Sequence, residues 1–143
     1  MTMLTKWLTY NTEHSDGSHL TYIDFPSEFY WQSDAKIWKK RSPNGKGAIG
    51  RLSYIHPSAG EVFFLRMLLC HKKGSTNFVD LRTVNNIVYD TYRVACEAMG
   101  LLGNDKKWET AIEEANATAT AAQIRSLFSY ILVFCDVSNP VNL

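Results

Sequence analysis

The sequence carries little net charge and has no long apolar run. Fifteen Lys and Arg residues face fourteen Asp and Glu residues, so the formal net charge is +1. No global basic field therefore points to nucleic acid. No stretch is long enough to cross a bilayer, and residues 1–10 lack the continuous apolar run of a secretory signal. We expect a protein that is neither secreted nor embedded in a membrane.

Cysteine is scarce, and the three residues are Cys70, Cys96 and Cys135. Their number is odd, no two are close in sequence, and all lie in apolar helical patterns. This predicts buried free thiols in a reducing compartment. Aromatic residues are abundant by contrast, with four Trp, seven Tyr and seven Phe. A large aromatic core is the common explanation, and a stacking surface for bases or for a partner protein is the alternative.

The motifs of common catalytic and metal sites are missing. A P-loop needs a Gly ahead of its Gly-Lys pair and a Ser or Thr after it, whereas Gly45-Lys46 has Lys40 and Gly47 in those places. The sequence has neither a Cys-x2-Cys nor a His-Glu-x2-His zinc motif. A replication-initiator nuclease needs two His one residue apart, and no such pair occurs among His14, His19, His56 and His71. We predict no enzyme activity, cofactor or metal for this chain.

Turn signals and apolar periodicity predict an α+β fold. Residues 20–25, 29–32, 36–40 and 49–55 are rich in β-branched and aromatic residues, and turn residues separate them. They predict a small antiparallel sheet of roughly three or four strands in the N-terminal half. From residue 59 the apolar period becomes helical, which predicts that this sheet packs against a C-terminal bundle of about four helices.

Individual helices follow from the same pattern. Residues 61–71 are apolar nearly all round apart from Arg66, which predicts a central, buried helix. A short N-terminal helix near residues 3–7 should contact the core, and Gly100 or Gly103 should end a helix that begins near Tyr92. Two further helices should start near Asn104 or Asp105 and near Thr118 or Thr120, and the last should end at Asn139-Pro140. Their expected inward residues are Trp108, Ile112, Ala115, Ile124, Leu127, Phe128, Ile131 and Leu132.

We expect a single domain over residues 1–143. It divides into an N-terminal helix and linker (1–19), a β-rich part (20–56) and a helical part (57–143). The helix at the very start and the abrupt end at Leu143 suggest a piece cut from a longer polypeptide.

Basic residues concentrate between Ala35 and Gly60, where no acidic residue occurs. Cations that hold phosphate and aromatic rings that stack on bases are typical of proteins that bind single-stranded nucleic acid. We interpret the segment as a candidate nucleic-acid surface; the alternative is a solvated hairpin with Trp38 packed on the sheet. The residues concerned are Trp31, Trp38, Lys36, Lys39, Lys40, Arg41, Lys46 and Arg51.

Two further charged sets flank the expected central helix. Lys72, Lys73 and Arg82 could extend the nucleic-acid surface, although lysines near a helix C-terminus also complement its dipole. Arg66 lies in so apolar a helix that it needs a partner, and we predict a structural ion pair. Glu61, Asp80 or an acid of the C-terminal helices could supply it, and Arg82 with Asp80 invites the same interpretation.

Scattered motifs also give the chain a family likeness. They include Asp24-Phe-Pro26, Ile49-Gly-Arg51, Pro57-x-x-Gly-Glu61, Phe64-Leu-Arg66-x-Leu-Leu69, Asp80-Leu-Arg-Thr-Val-Asn85, Gly100-Leu-Leu102 and Ser138-Asn-Pro140. Over nearly its whole length the chain resembles the segment of Helitron transposases, and of plant PIF-family helicase-like proteins, between the replication-initiator nuclease and the helicase motor.

The resemblance implies a nuclear protein of a rolling-circle transposition system, in which the parent protein is an ATP-dependent DNA helicase. The family's nuclease and ATP-binding motifs lie outside this segment, so neither activity transfers to it. We therefore expect an accessory domain that binds single-stranded DNA or couples the nuclease and helicase modules. The alternative is a protein-interaction module, including a domesticated transposase fragment that binds a host or pathogen protein, with an apolar patch of Phe29, Tyr30 and Trp31.

Overall fold

A computed structural model describes residues 1–102 and 106–134, and its helices and short strands confirm the α+β class. Two 3₁₀ turns, Phe25–Ser27 and Pro57–Ala59, complete the described elements. None of the described helices has the length and apolar character that a bilayer span requires. The helices are α1 (Met3–Glu13), α2 (Glu61–His71), α3 (Phe78–Leu81), α4 (Tyr92–Ala98), α5 (Lys106–Thr118) and α6 (Ala121–Phe134), and the strands are β1 (Phe29–Gln32), β2 (Ile37–Lys40), β3 (Thr83–Val84) and β4 (Ile87–Val88).

Several sequence predictions fall beyond these limits. Gly103, Asn104, Asp105, Cys135, Asn139 and Pro140, and the side chains of Trp108 and Leu132, lie outside the described residues.

Helix α1 is longer than predicted and forms one wall of an aromatic core. Thr2 caps it: the Thr2 hydroxyl accepts from the backbone N–H of Thr5, and the Thr2 backbone N–H donates to the Thr5 hydroxyl. Trp7 is fully buried, and its indole meets Tyr22 edge-on with ring centroids 5.3 Å apart. The helix thereby fixes the chain that leads into the first hairpin.

The first hairpin, β1 with β2, confirms the predicted turn. Phe29 pairs with Lys40 and Trp31 with Trp38 across the two antiparallel strands. Phe29 stacks on Phe25 with centroids 4.1 Å apart, so the inner face of the hairpin closes the aromatic core. Lys36 ends the turn with φ of +53°, a conformation that favours glycine.

The two other predicted N-terminal strands are wrong. Residues 20–25 form turns that lead into the 3₁₀ helix, because the Thr21 hydroxyl bonds both the Asp24 backbone and its carboxylate. Only an isolated bridge from Thr21 to Lys73 remains there. Residues 49–55 have no regular secondary structure and join no ladder among the described residues. The expected sheet is therefore a two-stranded hairpin in this half of the chain.

Helix α2 lies at the centre of the fold, as predicted, and packs against α4. Leu68 is fully buried, whereas Val62 is 53% exposed, so one edge of the helix faces outward. Helix α4 buries Ala95 and Cys96, and Gly100 follows it with φ of +74°. The N–H groups of Gly100 and of the next residue bond carbonyls of the last turn, a Schellman ending that confirms one of the two predicted stops.

Helices α5 and α6 pack on each other around a smaller core of Ala115, Leu127 and Ile131. Thr120 caps α6, as one of the two predicted starts: its hydroxyl accepts from the Gln123 N–H, while its own N–H donates to Gln123 Oε1. The second hairpin, β3 with β4, was not predicted. Asn85 and Asn86 both have positive φ in its two-residue turn, the signature of a type I′ hairpin.

Candidate nucleic-acid interface

The outer face of the first hairpin carries the exposed part of the predicted surface. Side chains alternate between faces along a strand, so Tyr30 and its cross-strand partner Lys39 lie opposite the buried Phe29. Tyr30 is 39% exposed and Ile37 is 36% exposed. We call Tyr30, Ile37 and Lys39 the hairpin outer face.

Arg41 holds a fixed position beside this face. Its backbone N–H continues the hairpin by donating to the Glu28 carbonyl at 2.8 Å. Its Nε donates to the carbonyl oxygens of Pro26 and Phe29, at 3.0 and 3.1 Å. The guanidinium carbon lies 6.0 Å from the centroid of the Tyr30 ring. A cation is thus anchored next to the exposed ring at little further entropic cost.

Lys40 is partly neutralised on the other side of the hairpin. Its Nζ lies 3.3 Å from Asp16 Oδ2, and the Tyr10 hydroxyl donates to Asp16 Oδ1 at 3.1 Å. Burial, together with the nearby Asp16 carboxylate, raises the pKa of Tyr10 to about 12. Burial pushes the pKa of Asp16 upward, but the bonds from Lys40 and Tyr10 outweigh it and hold that pKa below its usual value. Asp16 therefore stays charged beside Lys40.

The two tryptophans do not form the predicted stacking surface. Trp38 is only 6% exposed, and its Nε1 donates to the Met3 carbonyl at 3.0 Å. Trp31 is half-buried and meets Trp38 edge-on, with centroids 5.5 Å apart. The apolar patch expected from Phe29, Tyr30 and Trp31 is wrong for the same reason, because Phe29 is fully buried. Strand alternation in the sequence could have identified Tyr30 as the outward ring.

The second basic set mainly supports the fold. Lys72 Nζ donates to the carbonyl oxygens of Asp80 and Thr83 and lies 4.0 Å from Asp80 Oδ1. Arg82 donates to the carbonyl oxygens of Tyr89 and Asp90 rather than pairing with Asp80. These contacts give Lys72 and Arg82 a structural role in the fold, and their part in a nucleic-acid surface stays a prediction. Lys73 is exposed.

Arg66 forms the predicted ion pair with an acid of the C-terminal helices. The residue is 7% exposed and bonds the Glu114 carboxylate of α5. Its Nε and Nη2 donate to the carbonyl oxygens of Ser53 and Leu52, at 2.8 and 3.1 Å. The other two suggested partners are wrong. Glu61 accepts from the Tyr92 N–H at 2.7 Å, and Asp80 accepts from the Thr76 N–H at 3.0 Å.

Lys46 and Arg51 are exposed in the loop and irregular segment that follow the first hairpin. Gly47 and Gly50 press this segment against earlier backbone: a Cβ on Gly50 would come within 2.0 Å of the Ile23 carbonyl oxygen. Within residues 1–102 and 106–134, no cluster of three or more His, Cys, Asp or Glu side chains could hold a metal ion.

Comparison with known proteins adds no assignment. No protein-family model matches the chain, and no curated protein matches it.

Proposed function

We propose that this chain is a non-catalytic accessory domain that binds single-stranded DNA through the hairpin outer face, within a nuclear Helitron-like transposase or helicase. The observation that supports this most is the exposed Tyr30 ring between Lys39, directly across the strands, and the anchored Arg41. A ring on which a base can stack and cations that can hold phosphate share one rigid surface.

Rigidity is an advantage here because the ring needs little ordering on binding. The inner face of the same strands belongs to the aromatic core, so the backbone that carries Tyr30 is fixed by buried Phe29 and Trp38. Stacking tolerates any base, so we expect weak sequence preference and strong salt dependence.

The first experiment compares Tyr30→Leu with Tyr30→Phe. We expect the leucine variant to bind a fluorescently labelled dT oligonucleotide roughly 5- to 150-fold more weakly, because base–aromatic stacking contributes about 1–3 kcal/mol. The phenylalanine variant keeps the ring and should bind like the parent. Anisotropy titrations at two salt concentrations measure both, and equal binding by the leucine variant would contradict the proposal.

A second experiment tests the cations. Lys39→Gln should reduce the salt dependence of binding by about 0.7 in the slope of log K against log salt, the value for one phosphate contact on a single strand. Arg125→Gln on α6, exposed and far along the chain from the hairpin, is the matched control. A control with the same effect would mean that only net charge matters.

A protein-interaction module is the second candidate function. It is favoured by apolar side chains of α3 and the second hairpin that reach the surface: Phe78 is 38%, Val79 48%, Ile87 55% and Val88 56% exposed. The partner would be the nuclease or helicase module of the parent protein, or another protein. The immobilised domain should retain those modules, and the double variant Ile87→Thr/Val88→Thr should not. This result, together with no detectable DNA binding, would favour the interaction function.

A further inference from the structure

Two cavities meet at Arg51, in a cleft between the irregular segment 49–55 and the adjoining ends of α5 and α6. Their volumes are about 390 and 370 Å³. Arg51, Leu52 and Thr118 line both, so the two spaces share a common wall. Each falls within the range of roughly 300–1,000 Å³ that is usual for small-molecule sites. We call the two together the Arg51 cleft.

The first cavity is mostly apolar. Ile23, Ile49, Leu52 and Ala117 contribute to its lining, and Ile49 is 87% exposed. Arg66 and Glu114 also line it, and their charges neutralise each other in the ion pair described above, so Arg51 supplies the net positive charge. This space suits a flat group with apolar faces, such as a nucleobase.

The second cavity is lined by polar donors. Tyr54 lines it, and its hydroxyl oxygen is buried with no hydrogen-bond partner among the described residues. Burial raises the pKa of Tyr54, so the hydroxyl stays a donor at neutral pH. A buried hydroxyl without a partner destabilises a fold, and a bound acceptor would supply what is missing once the Tyr54 side chain turns its hydroxyl towards the cavity.

Two other groups could share that acceptor. Gln123 lines the same cavity at the first turn of α6, and its Oε1 is occupied by the Thr120 N–H, which leaves its amide nitrogen for a ligand. The guanidinium of Arg51 has no hydrogen bond or ion pair within the described part of the chain, and the residue is exposed. A guanidinium, a phenol and an amide nitrogen are a set of donors that matches the oxygen atoms of a phosphate.

We propose that the Arg51 cleft binds one nucleotide unit, with the base in the apolar cavity and the phosphate among Arg51, Tyr54 and Gln123. This deepens the proposed function and rests on it, since it adds a second contact for a single strand. The unit can come from a strand or from a free nucleotide.

Tyr54→Phe gives the sharpest test because the fold and the ligand respond in opposite directions. Removing an unpartnered buried hydroxyl should leave the melting temperature unchanged or raise it. Affinity for deoxyadenosine monophosphate and for a labelled dT oligonucleotide should fall about tenfold or more, the loss expected for one charge-assisted hydrogen bond. Tyr89→Phe, on a half-buried tyrosine after the second hairpin, is the matched control.

Two further variants test the halves of the cleft separately. Arg51→Gln should weaken both ligands about tenfold or more. Ala117→Leu should fill the apolar cavity while keeping a good helix former, and should weaken deoxyadenosine monophosphate but not inorganic phosphate. Inorganic phosphate that binds as tightly as the nucleotide would overturn the base site, and no detectable binding of either nucleotide ligand would overturn the whole proposal.

The two proposals can fail separately. If Tyr30→Leu abolishes oligonucleotide binding while Arg51→Gln and Tyr54→Phe bind normally, the cleft is wrong and the hairpin surface stands. If nucleotide binding depends on Arg51 while Tyr30→Leu has no effect on the oligonucleotide, the hairpin surface is wrong and the cleft stands. Displacement of deoxyadenosine monophosphate by the oligonucleotide identifies a strand as the source, and free nucleotide binding without such displacement identifies the monomer.

Discussion

Arg66 illustrates how one side chain can join three parts of a chain. From α2 it bonds a carboxylate on α5 and two carbonyl oxygens of the irregular segment 49–55. Those carbonyls have no strand partner within the described residues, so the guanidinium donates the hydrogen bonds that a neighbouring strand would otherwise provide. The sequence predicted the ion pair from the cost of burying a charge, but it could not choose among the acids because the choice depends on tertiary packing.

The first prediction concerns this pair. Arg66→Met should lower the free energy of unfolding by about 3–5 kcal/mol, because it leaves the Glu114 charge and both carbonyl groups without a partner. Glu114→Gln should cost about 1–2 kcal/mol, since the Glu114 side chain is 25% exposed and its amide can still accept a bond. Urea titrations followed by tryptophan fluorescence measure both values. Equal losses would mean that the carbonyl contacts contribute nothing.

A second prediction concerns Lys36, which ends the turn of the first hairpin with φ of +53°. A left-handed conformation costs an L-residue about 1–2 kcal/mol, and glycine avoids that cost but loses about 0.5–1 kcal/mol of chain entropy. Lys36→Gly should therefore stabilise the protein by about 0.5–1 kcal/mol. Lys39→Gly, in the middle of β2, is the control and should destabilise it. A lower melting temperature for Lys36→Gly would contradict the argument.

At the scale of elements, the sequence predicted correctly those elements whose stabilising contacts come from residues close in sequence. The capping box of α6, the Gly100 stop of α4 and the first hairpin each depend on side chains or turn residues close in sequence. Residues 20–25 and 49–55 have strand composition, but a strand also needs a distant partner. In the first segment Thr21 bonds the nearby Asp24 instead, and in the second Arg66 bonds the Leu52 carbonyl, so neither segment pairs with a described strand.

A third prediction compares the glycines at two helix ends. Gly60 has φ of +71° and ψ of −126°, and Gly100 has φ of +74°; a Cβ would meet nothing within 4 Å at either position. Any cost of alanine is therefore backbone strain. Gly60→Ala should cost about 2–3 kcal/mol, because its conformation is essentially restricted to glycine, and Gly100→Ala about 1 kcal/mol. Thermal unfolding should rank the two variants in that order, and the reverse order would contradict it.

In the candidate site, too, some features can be predicted from neighbouring residues and others depend on tertiary packing. Alternation along β1 is enough to place Tyr30 outward and Phe29 inward, and composition is enough to locate the basic segment. The burial of Trp38 depends on α1, whose Met3 carbonyl accepts its indole N–H from 35 residues away. The Arg51 cleft forms only when α5 and α6 lie beside the irregular segment 49–55, and no local sequence pattern predicts that packing.

At the scale of the whole molecule, buried cysteine and tyrosine side chains make the stability of the fold depend on pH in the alkaline range. Burial raises the pKa of Cys70 and of Cys96 to about 12, and burial also raises the pKa of Tyr22 and Tyr54. The folded state therefore keeps these groups protonated at a pH where the unfolded chain releases their protons. Such a group stabilises the fold fully below its unfolded pKa, and that contribution disappears as pH rises towards the folded value.

The last prediction follows from that sign. The urea midpoint should fall steadily from about pH 9, the ordinary range of a free thiol, towards pH 12. Lys72 works in the opposite sense, because burial lowers its pKa, and it offsets only part of the decline. Cys96→Ala removes a fully buried thiol that donates to the Phe64 carbonyl at 3.4 Å. That variant should be less stable at pH 7.5 but should lose less between pH 7.5 and 10.5 than the parent. An equal loss would mean that the buried thiol plays no part in alkaline unfolding.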